Sequence, residues 1–197
     1  MHWIDPQSLS PVKSKVVRFL FNLNADADGM LLANGTEAHF PPHLSDKVLK
    51  MIRPGDAVTL YGVKPRAANM IACIAIESAG GGRIDDTGPP TKAKKKKHAK
   101  KGRDAHDASL TRVEVEETVE RLLHGPKGEV RGVLLSSGRI VRFPPHVAQG
   151  ARTMLKPGAV LAVRGEARTV SSTEVIEARA WGKSKARMKP LSLRPHP

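Results

Sequence analysis

The feature that most constrains the fold is an internal repeat. Three patterns, Gly-x-Leu-Leu-x-x-Gly, Phe-Pro-Pro-His and Met-x-x-Pro-Gly, each occur twice, at residues 29–35 and 132–138, 40–43 and 143–146, and 51–55 and 154–158. Together with a later glycine pair, they share one offset of 103 positions without a gap. Such agreement indicates a duplication, so the 197 residues are expected to fold as two copies of one small unit.

Each copy begins with three expected strands. Residues 16–22 are rich in β-branched and aromatic side chains, which is typical of a strand. The matching residues 113–123 would fit a helix if considered alone, but the alignment with the first copy favours a strand. Two short strands at 29–32 and 36–40 flank an Asn-Gly pair, which is a strong hairpin-turn signal.

A helix is expected after each Phe-Pro-Pro-His motif, because apolar residues recur there at i, i+4, i+7 and i+8. They are Leu44, Val48, Met51 and Ile52 in the first copy and Val147, Ala151, Met154 and Leu155 in the second. A Pro-Gly pair ends each helix. Alternating strands are expected next, at 56–63 and 70–76 and again at 159–166 and 174–181.

The order strand, strand, strand, helix, strand, strand within about 65 residues is that of the OB-fold. An SH3-like barrel is the main alternative, but it usually has no ten-residue helix at that place. The chain is therefore predicted to be mainly β, with two OB-type five-stranded barrels at 12–78 and 112–182 and one helix between strands 3 and 4 of each. A flexible, lysine-rich linker is expected at 79–111 and a basic disordered tail at 183–197.

The repeated motifs resemble those of uncharacterised bacterial tandem OB-fold-like proteins that carry a duplicated Phe-Pro-Pro-His sequence. The resemblance covers both barrels but neither the linker nor the tail. It implies the fold and a bacterial origin, and it implies no activity and no catalytic residues.

The positive charge is concentrated outside the barrels. Of the net charge of +14, residues 92–103 contribute eight basic residues and 183–197 contribute five, with no acidic residue in either segment. Flexible cationic segments bind phosphate backbones through counterion release, independently of sequence. The predicted contacts in these segments are Lys92, Lys94, Lys95, Lys96, Lys97, Lys100, Lys101, Arg103, Lys183, Lys185 and Arg187.

The barrels offer a second set of candidates. Strand alternation predicts that Glu37 and His39 point outward in the first copy and Ile140 in the second. Because the first copy carries Asp26 and Asp28 in its first loop, the second barrel is expected to be the phosphate-facing one. The candidate residues on the barrels are Tyr61, Arg131, Arg139, Arg142, Arg164 and Arg168.

No pattern for catalysis or for a cofactor is found. Cys73 alternates with apolar neighbours and is expected to be a small buried residue rather than a nucleophile. His39 and His43 are metal candidates, but two histidines without further ligands rarely hold a metal. No Ser/His/Asp grouping, carboxylate pair or phosphate-cradling glycine loop is present. The sequence predicts a protein that is not an enzyme and needs no cofactor.

The function predicted from these features is largely sequence-independent binding of single- or double-stranded nucleic acid. The alternative is a protein-interaction or scaffold module that binds an acidic protein partner. The single cysteine, the absence of an apolar run of about 18 residues and the lack of a secretory signal pattern favour a cytoplasmic protein without membrane contact. The oligomeric state and the choice between DNA, RNA and protein stay open.

Overall fold

The structure is a computed structural model that describes residues 8–66, 68–88, 110–151 and 153–192. The chain forms two compact units, and each contains one closed five-stranded barrel with a short helix between its third and fourth strands. The predicted fold class is thereby confirmed. The residues between 88 and 110, which hold the lysine run, lie outside the described part of the chain.

Barrel 1 is built in the expected order. Its elements are β1 (Val12–Phe21), β2 (Ala27–Leu32), β3 (Glu37–His39), α1 (Ser45–Met51), β4 (Ala57–Val63), β5 (Met70–Ser78) and a further strand β6 (Arg83–Asp85). The sheet runs in the order β3, β2, β1, β4, β5, β6. A parallel pairing of β3 with β5 closes the barrel, which is the OB-type arrangement.

Barrel 2 repeats this order. Its elements are β7 (Thr111–His124), β8 (Val130–Leu135), β9 (Ile140–Arg142), α2 (Pro145–Gln149), β10 (Val160–Val170), β11 (Thr173–Gly182) and β12 (Lys189–Pro190). The parallel pairing of β9 with β11 closes it. The ambiguous segment at 113–123 is a strand, as the alignment of the two copies predicts.

The offset between the barrels changes after the fourth strand. Glu37 pairs with Met70 in barrel 1, and Ile140, its counterpart at an offset of 103, pairs with Val175. The fifth strands therefore correspond at an offset of 105, because the β10–β11 hairpin is two residues longer. Ser171 and Ser172 form its turn with φ of 45° and 64°.

The barrel interiors are filled by inward-facing apolar side chains. Phe40 and Phe143 are both buried, and Phe143 packs edge-on against Trp181 with ring centroids 5.0 Å apart. Glu37 and Ile140 were expected to point outward, and this expectation is wrong: they are 2% and 0% exposed. The residues that follow them, Ala38 and Val141, are also buried, so both faces of the third strand are covered.

The repeated Gly62 and Gly165 are required by close backbone contact. At each, the fourth strand shifts its register against the fifth, as in a β-bulge. A Cβ atom at Gly62 would collide with the carbonyl oxygen of Ala72, and one at Gly165 with that of Glu177. The glycine repeat therefore marks the place where the two strands approach most closely.

The second helix is shorter than its sequence pattern predicts. α1 ends at Met51, whereas α2 ends at Gln149 and is followed by turns at residues 150–151 and 153–154. Gly150 occupies the position of Lys47, and glycine in a helix is less favourable than other residues by about 1 kcal/mol. Ala151 and Leu155 are nevertheless buried. Within the described ranges, no helix is long and apolar enough to cross a membrane.

Two short strands lie in segments that were predicted to be linker and tail. β6 pairs with β5 across a turn in which Gly81 has a φ of +88°, so the predicted linker contains an ordered hairpin at its start. β12 pairs with β11 within the predicted disordered tail. Both strands add to the free edge of the fifth strand, whose backbone groups need hydrogen-bond partners. The first strand of barrel 2 also begins at Thr111, one residue before the predicted boundary.

Candidate nucleic-acid interface

Of the predicted nucleic-acid contacts, eight lie outside the described residues. They are Lys92, Lys94, Lys95, Lys96, Lys97, Lys100, Lys101 and Arg103. The other nine can be located. They fall into three groups: arginines on barrel 2, cations after β11, and Tyr61 on barrel 1.

Arg139 is the centre of an ion-pair cluster on barrel 2. Its guanidinium binds the carboxylates of Glu117 on β7 and Glu174 on β11. Hydrogen bonds to Glu117 and then Glu174 raise the pKa of Arg139. Burial opposes the ionisation of Glu117, but hydrogen bonds from Ser137 and Arg139 outweigh it and lower the pKa of that carboxyl. The cluster holds two negative charges against one positive charge.

Other arginines of barrel 2 are also compensated. Arg164 Nε lies 2.9 Å from Glu114 Oε2 on the neighbouring strand, and Arg131 Nε lies 3.5 Å from Glu129 Oε1. Arg179, which the sequence did not single out, binds Glu166 and Glu177. These pairs reduce the positive potential that the arginines would otherwise offer to a phosphate.

The two last arginine candidates of barrel 2 are less accessible than expected. Arg168 is only 5% exposed and Arg142 is half-buried. A guanidinium that is already covered by protein has little surface left for a phosphate. Neither position therefore adds to a cationic face of barrel 2.

The cations after β11 differ from those on the barrel. Lys183, Lys185 and Arg187 are exposed, and so is Lys189 in β12. No ion pair joins any of these four to another residue among those described. The backbone N–H of Lys185 donates a hydrogen bond of 2.9 Å to Glu116 Oε2, which holds this segment at the edge of β7. Its side chains remain directed to solvent.

Tyr61 is partly covered on its accessible side. Its hydroxyl donates to Glu77 Oε2 at 3.2 Å, and the guanidinium of Arg83 in β6 lies 5.4 Å from the ring centroid. Desolvation, followed by the hydrogen bond and charge of Glu77, raises the pKa of Tyr61 despite the opposing effect of Arg83. The ring already serves as a cation–π partner, so a stacking base would have to displace Arg83.

The histidines of the two Phe-Pro-Pro-His motifs contact the chain just after the last strand of their own barrel, which is β6 in barrel 1 and β12 in barrel 2. His43 Nε2 lies 3.2 Å from Asp86 Oδ1, and His146 Nε2 lies 2.8 Å from the carbonyl oxygen of Ser192. His39 is half-buried, and the described residues contain no group of three potential metal ligands. Burial raises the pKa of the Cys73 thiol to about 12, which leaves it a poor nucleophile at neutral pH.

A polar pocket of about 370 Å³ lies at one end of barrel 1, and no sequence pattern predicted it. The start of β1, the β2–β3 turn and the β4–β5 loop line it. Its polar side chains come from Lys13, Asn34, Thr36, Lys64 and Asn69. No acidic residue lines it. Two isolated lysines and a turn give no signal that would identify such a pocket, because the fold alone brings them together.

No family model matches the chain, and no curated protein matches it. Among solved structures, a deletion mutant and the wild type of the single-stranded DNA binding protein from Thermus aquaticus match with 13% and 12% identity, each with a TM-score of 0.26. They cover 95% of this chain and 95% and 94% of their own chains. A murine DNA binding protein bound with double-stranded DNA matches with 12% identity, a TM-score of 0.25, and coverage of 86% and 94%. At these TM-scores the likeness carries no argument about function.

Proposed function

We propose that this chain is a non-enzymatic nucleic-acid-binding protein that contacts phosphates largely independently of base sequence. The basic segments at 92–103 and 183–197 make most of the phosphate contacts, and the two OB-type barrels position them. Single-stranded and double-stranded ligands both fit such contacts, since each presents a continuous row of phosphates.

The observation that supports the proposal is the separation of compensated from uncompensated cations. The accessible arginine candidates of barrel 2, which are Arg131, Arg139 and Arg164, lie against glutamates, whereas the cations after β11 are exposed with no ion-pair partner among the described residues. Thirteen of the basic residues lie in the two segments, which hold no acidic residue. A protein that gathers its excess charge in this way favours a polyanionic partner.

The test is a salt titration of oligonucleotide binding by the full chain. Fluorescence anisotropy with labelled single-stranded DNA, double-stranded DNA and RNA starts at about 50 mM salt, where phosphate contacts are strong. Replacing the eight cations of 92–103 and the four described tail cations by Gln is expected to lower affinity by at least about a hundredfold. The slope of log affinity against log salt should flatten by about 0.9 for each phosphate that is no longer neutralised.

A control uses three compensated arginines, to be compared with a variant in which Lys183, Lys185 and Arg187 are replaced by Gln. Arg131→Gln, Arg164→Gln and Arg179→Gln remove cations that already have glutamate partners, so affinity should fall less than about threefold. A full chain that binds none of the three ligands at low salt would contradict the proposal. Retention of a protein partner after nuclease treatment and after neutralisation of both segments would instead support the scaffold alternative.

A further inference from the structure

The polar pocket of barrel 1 has the composition of an anion site. Lys13 and Lys64 are both exposed side chains at its rim, and neither forms an ion pair with a described residue. The other polar groups of the lining are the side chains of Asn34, Thr36 and Asn69, which are neutral. The volume of about 370 Å³ falls within the range of small-ligand pockets.

Hydrogen bonds hold the pocket walls in place. The backbone N–H of Asn34 donates to Ser14 Oγ at 3.2 Å, which joins the β2–β3 turn to β1. Asn69 Nδ2 donates to the carbonyl oxygen of Gly35 at 3.2 Å, and Thr36 Oγ1 donates to Asn69 Oδ1 at 3.4 Å. These bonds connect three separate chain segments, so the walls are preorganised for a ligand.

The equivalent place of barrel 2 carries different side chains. Asn69 directly precedes β5 and Glu174 occupies the equivalent place before Val175 in β11, while Thr36 and Arg139 both directly precede the third strand. Where Thr36 bonds Asn69 in barrel 1, Arg139 bonds Glu174 in barrel 2. The interaction is kept in position but changes from neutral to charged.

A second pair of positions changes in the same way. Ser14 accepts a hydrogen bond from the turn residue Asn34, and its counterpart Glu117 accepts one of 3.2 Å from Ser137. At the lysine positions, Glu116 replaces Lys13 and Ala167 replaces Lys64. Barrel 2 therefore presents three carboxylates and one guanidinium where barrel 1 presents two lysines and neutral groups.

We propose that the pocket of barrel 1 binds a phosphate group, and that in the function proposed above this is a phosphate of the bound nucleic-acid strand. The two ammonium groups supply the charge. The other polar groups of the lining are neutral, and the carboxylates that would repel an anion are present at the equivalent place of barrel 2. The inference rests on the proposed function for the identity of the ligand, and it reverses the expectation that barrel 2 faces the phosphates.

The test compares two double variants of the full chain with equal charge. Lys13→Gln/Lys64→Gln removes the pocket cations, and Lys47→Gln/Lys50→Gln removes two exposed lysines of α1. The pocket variant is expected to bind a 5′-phosphorylated oligonucleotide about tenfold more weakly and to reduce the salt slope by about 0.9, the value for one phosphate. The α1 variant should stay within about twofold of the wild type.

A third variant tests whether binding needs the open volume of the pocket, and it leaves the net charge of the chain unchanged. Thr36→Arg/Asn69→Glu introduces the pair that barrel 2 carries, so it fills the pocket without changing net charge and uses residues that this fold already accommodates. It should weaken oligonucleotide binding as much as the lysine variant does. Equal affinities for the wild type and for both pocket variants would overturn the proposal.

Titration of the full chain with inorganic phosphate separates this inference from the proposed function. In ¹⁵N-resolved NMR spectra, phosphate should shift the side-chain amide signals of Asn34 and Asn69, and Lys13→Gln/Lys64→Gln should abolish the shifts. If no oligonucleotide binds but these shifts occur, the proposed function fails and the phosphate site stands. If oligonucleotides bind equally to all variants and no shifts occur, the proposed function stands and the phosphate site falls.

Discussion

The two barrels share the same backbone requirements. They differ in the side chains around the pocket of barrel 1 and at the equivalent positions of barrel 2, which together are called the rim. Both have a glycine where the fourth and fifth strands approach, and both have a phenylalanine buried in the same motif. At the rim, barrel 1 joins its segments through Ser14, Thr36 and Asn69, and barrel 2 through charged groups. The two copies thus share the residues that the fold requires, and they differ in the charge of the residues at the rim.

The largest expected effect comes from the shared glycines. Gly62→Ala and Gly165→Ala each place a methyl group against a backbone carbonyl, so each should lower the free energy of unfolding by about 3 kcal/mol. Urea denaturation followed by circular dichroism measures the loss. Gly150→Ala is the control, since Gly150 has an ordinary φ of −82° and open space around it. A mild effect at either Gly62 or Gly165 would break the claim of a shared backbone requirement.

The charged rim of barrel 2 should make its stability depend on pH. The folded-state pKa of Glu117 is lowered from its ordinary value of 4.5, so its contribution is complete above that pH and is lost as pH falls through the lowered value. Glu117→Gln should therefore destabilise by about 1 kcal/mol at pH 7 and much less at pH 3. Thermal denaturation at both pH values gives the comparison.

The matched change in barrel 1 is Ser14→Ala. It removes the acceptor for the turn at the equivalent position, but no titrating group is involved. Its effect on the free energy of unfolding should be the same at pH 7 and at pH 3. A pH-dependent effect of Ser14→Ala, or a pH-independent effect of Glu117→Gln, would contradict the contrast between a neutral and a charged rim.

The smallest expected effect concerns the longer β10–β11 hairpin. Ser171 and Ser172 have positive φ, which is unfavourable for L-residues other than Asn and Gly. Ser171→Asn/Ser172→Gly should stabilise barrel 2 by about 0.5 kcal/mol. Trp181 fluorescence in a Trp3→Phe background reports on this barrel, because it leaves one tryptophan in the chain. Ser184→Gly, at an extended backbone position, should not stabilise it.

The repeat made the architecture predictable, because each copy resolves ambiguities in the other. Residues 113–123 would fit a helix by themselves, and their match to β1 correctly favours a strand. The sixth strands were missed because β6 has three residues and β12 has two, too few for an alternating pattern. Gly80 to Gly82 also resemble the start of a linker, although they form the turn before β6.

The rim was less predictable, because its residues are distant in sequence. Arg164 meets Glu114 fifty positions away, and Arg139 meets Glu117 and Glu174 on two other strands. A count of the charges in each sequence segment treats these arginines as available to bind phosphate, because it cannot show that they are paired with distant glutamates. The comparison of this pocket with barrel 2 also requires the offset of 105 in the fifth strand. This offset makes Glu174 the counterpart of Asn69, and a gap-free alignment misses it.

The histidine contact after β6 also limits the reach of the lysine segment. His43 Nε2 lies 3.2 Å from Asp86 Oδ1, which keeps Asp86 next to the residues just before α1, and Lys92 follows six residues later. Since an extended chain spans at most about 3.6 Å per residue, these six residues bridge no more than about 22 Å. The contact therefore fixes, beside barrel 1, the point where the lysine segment begins, and in the function proposed above this short tether raises the local concentration of its first lysine at a phosphate bound on that barrel.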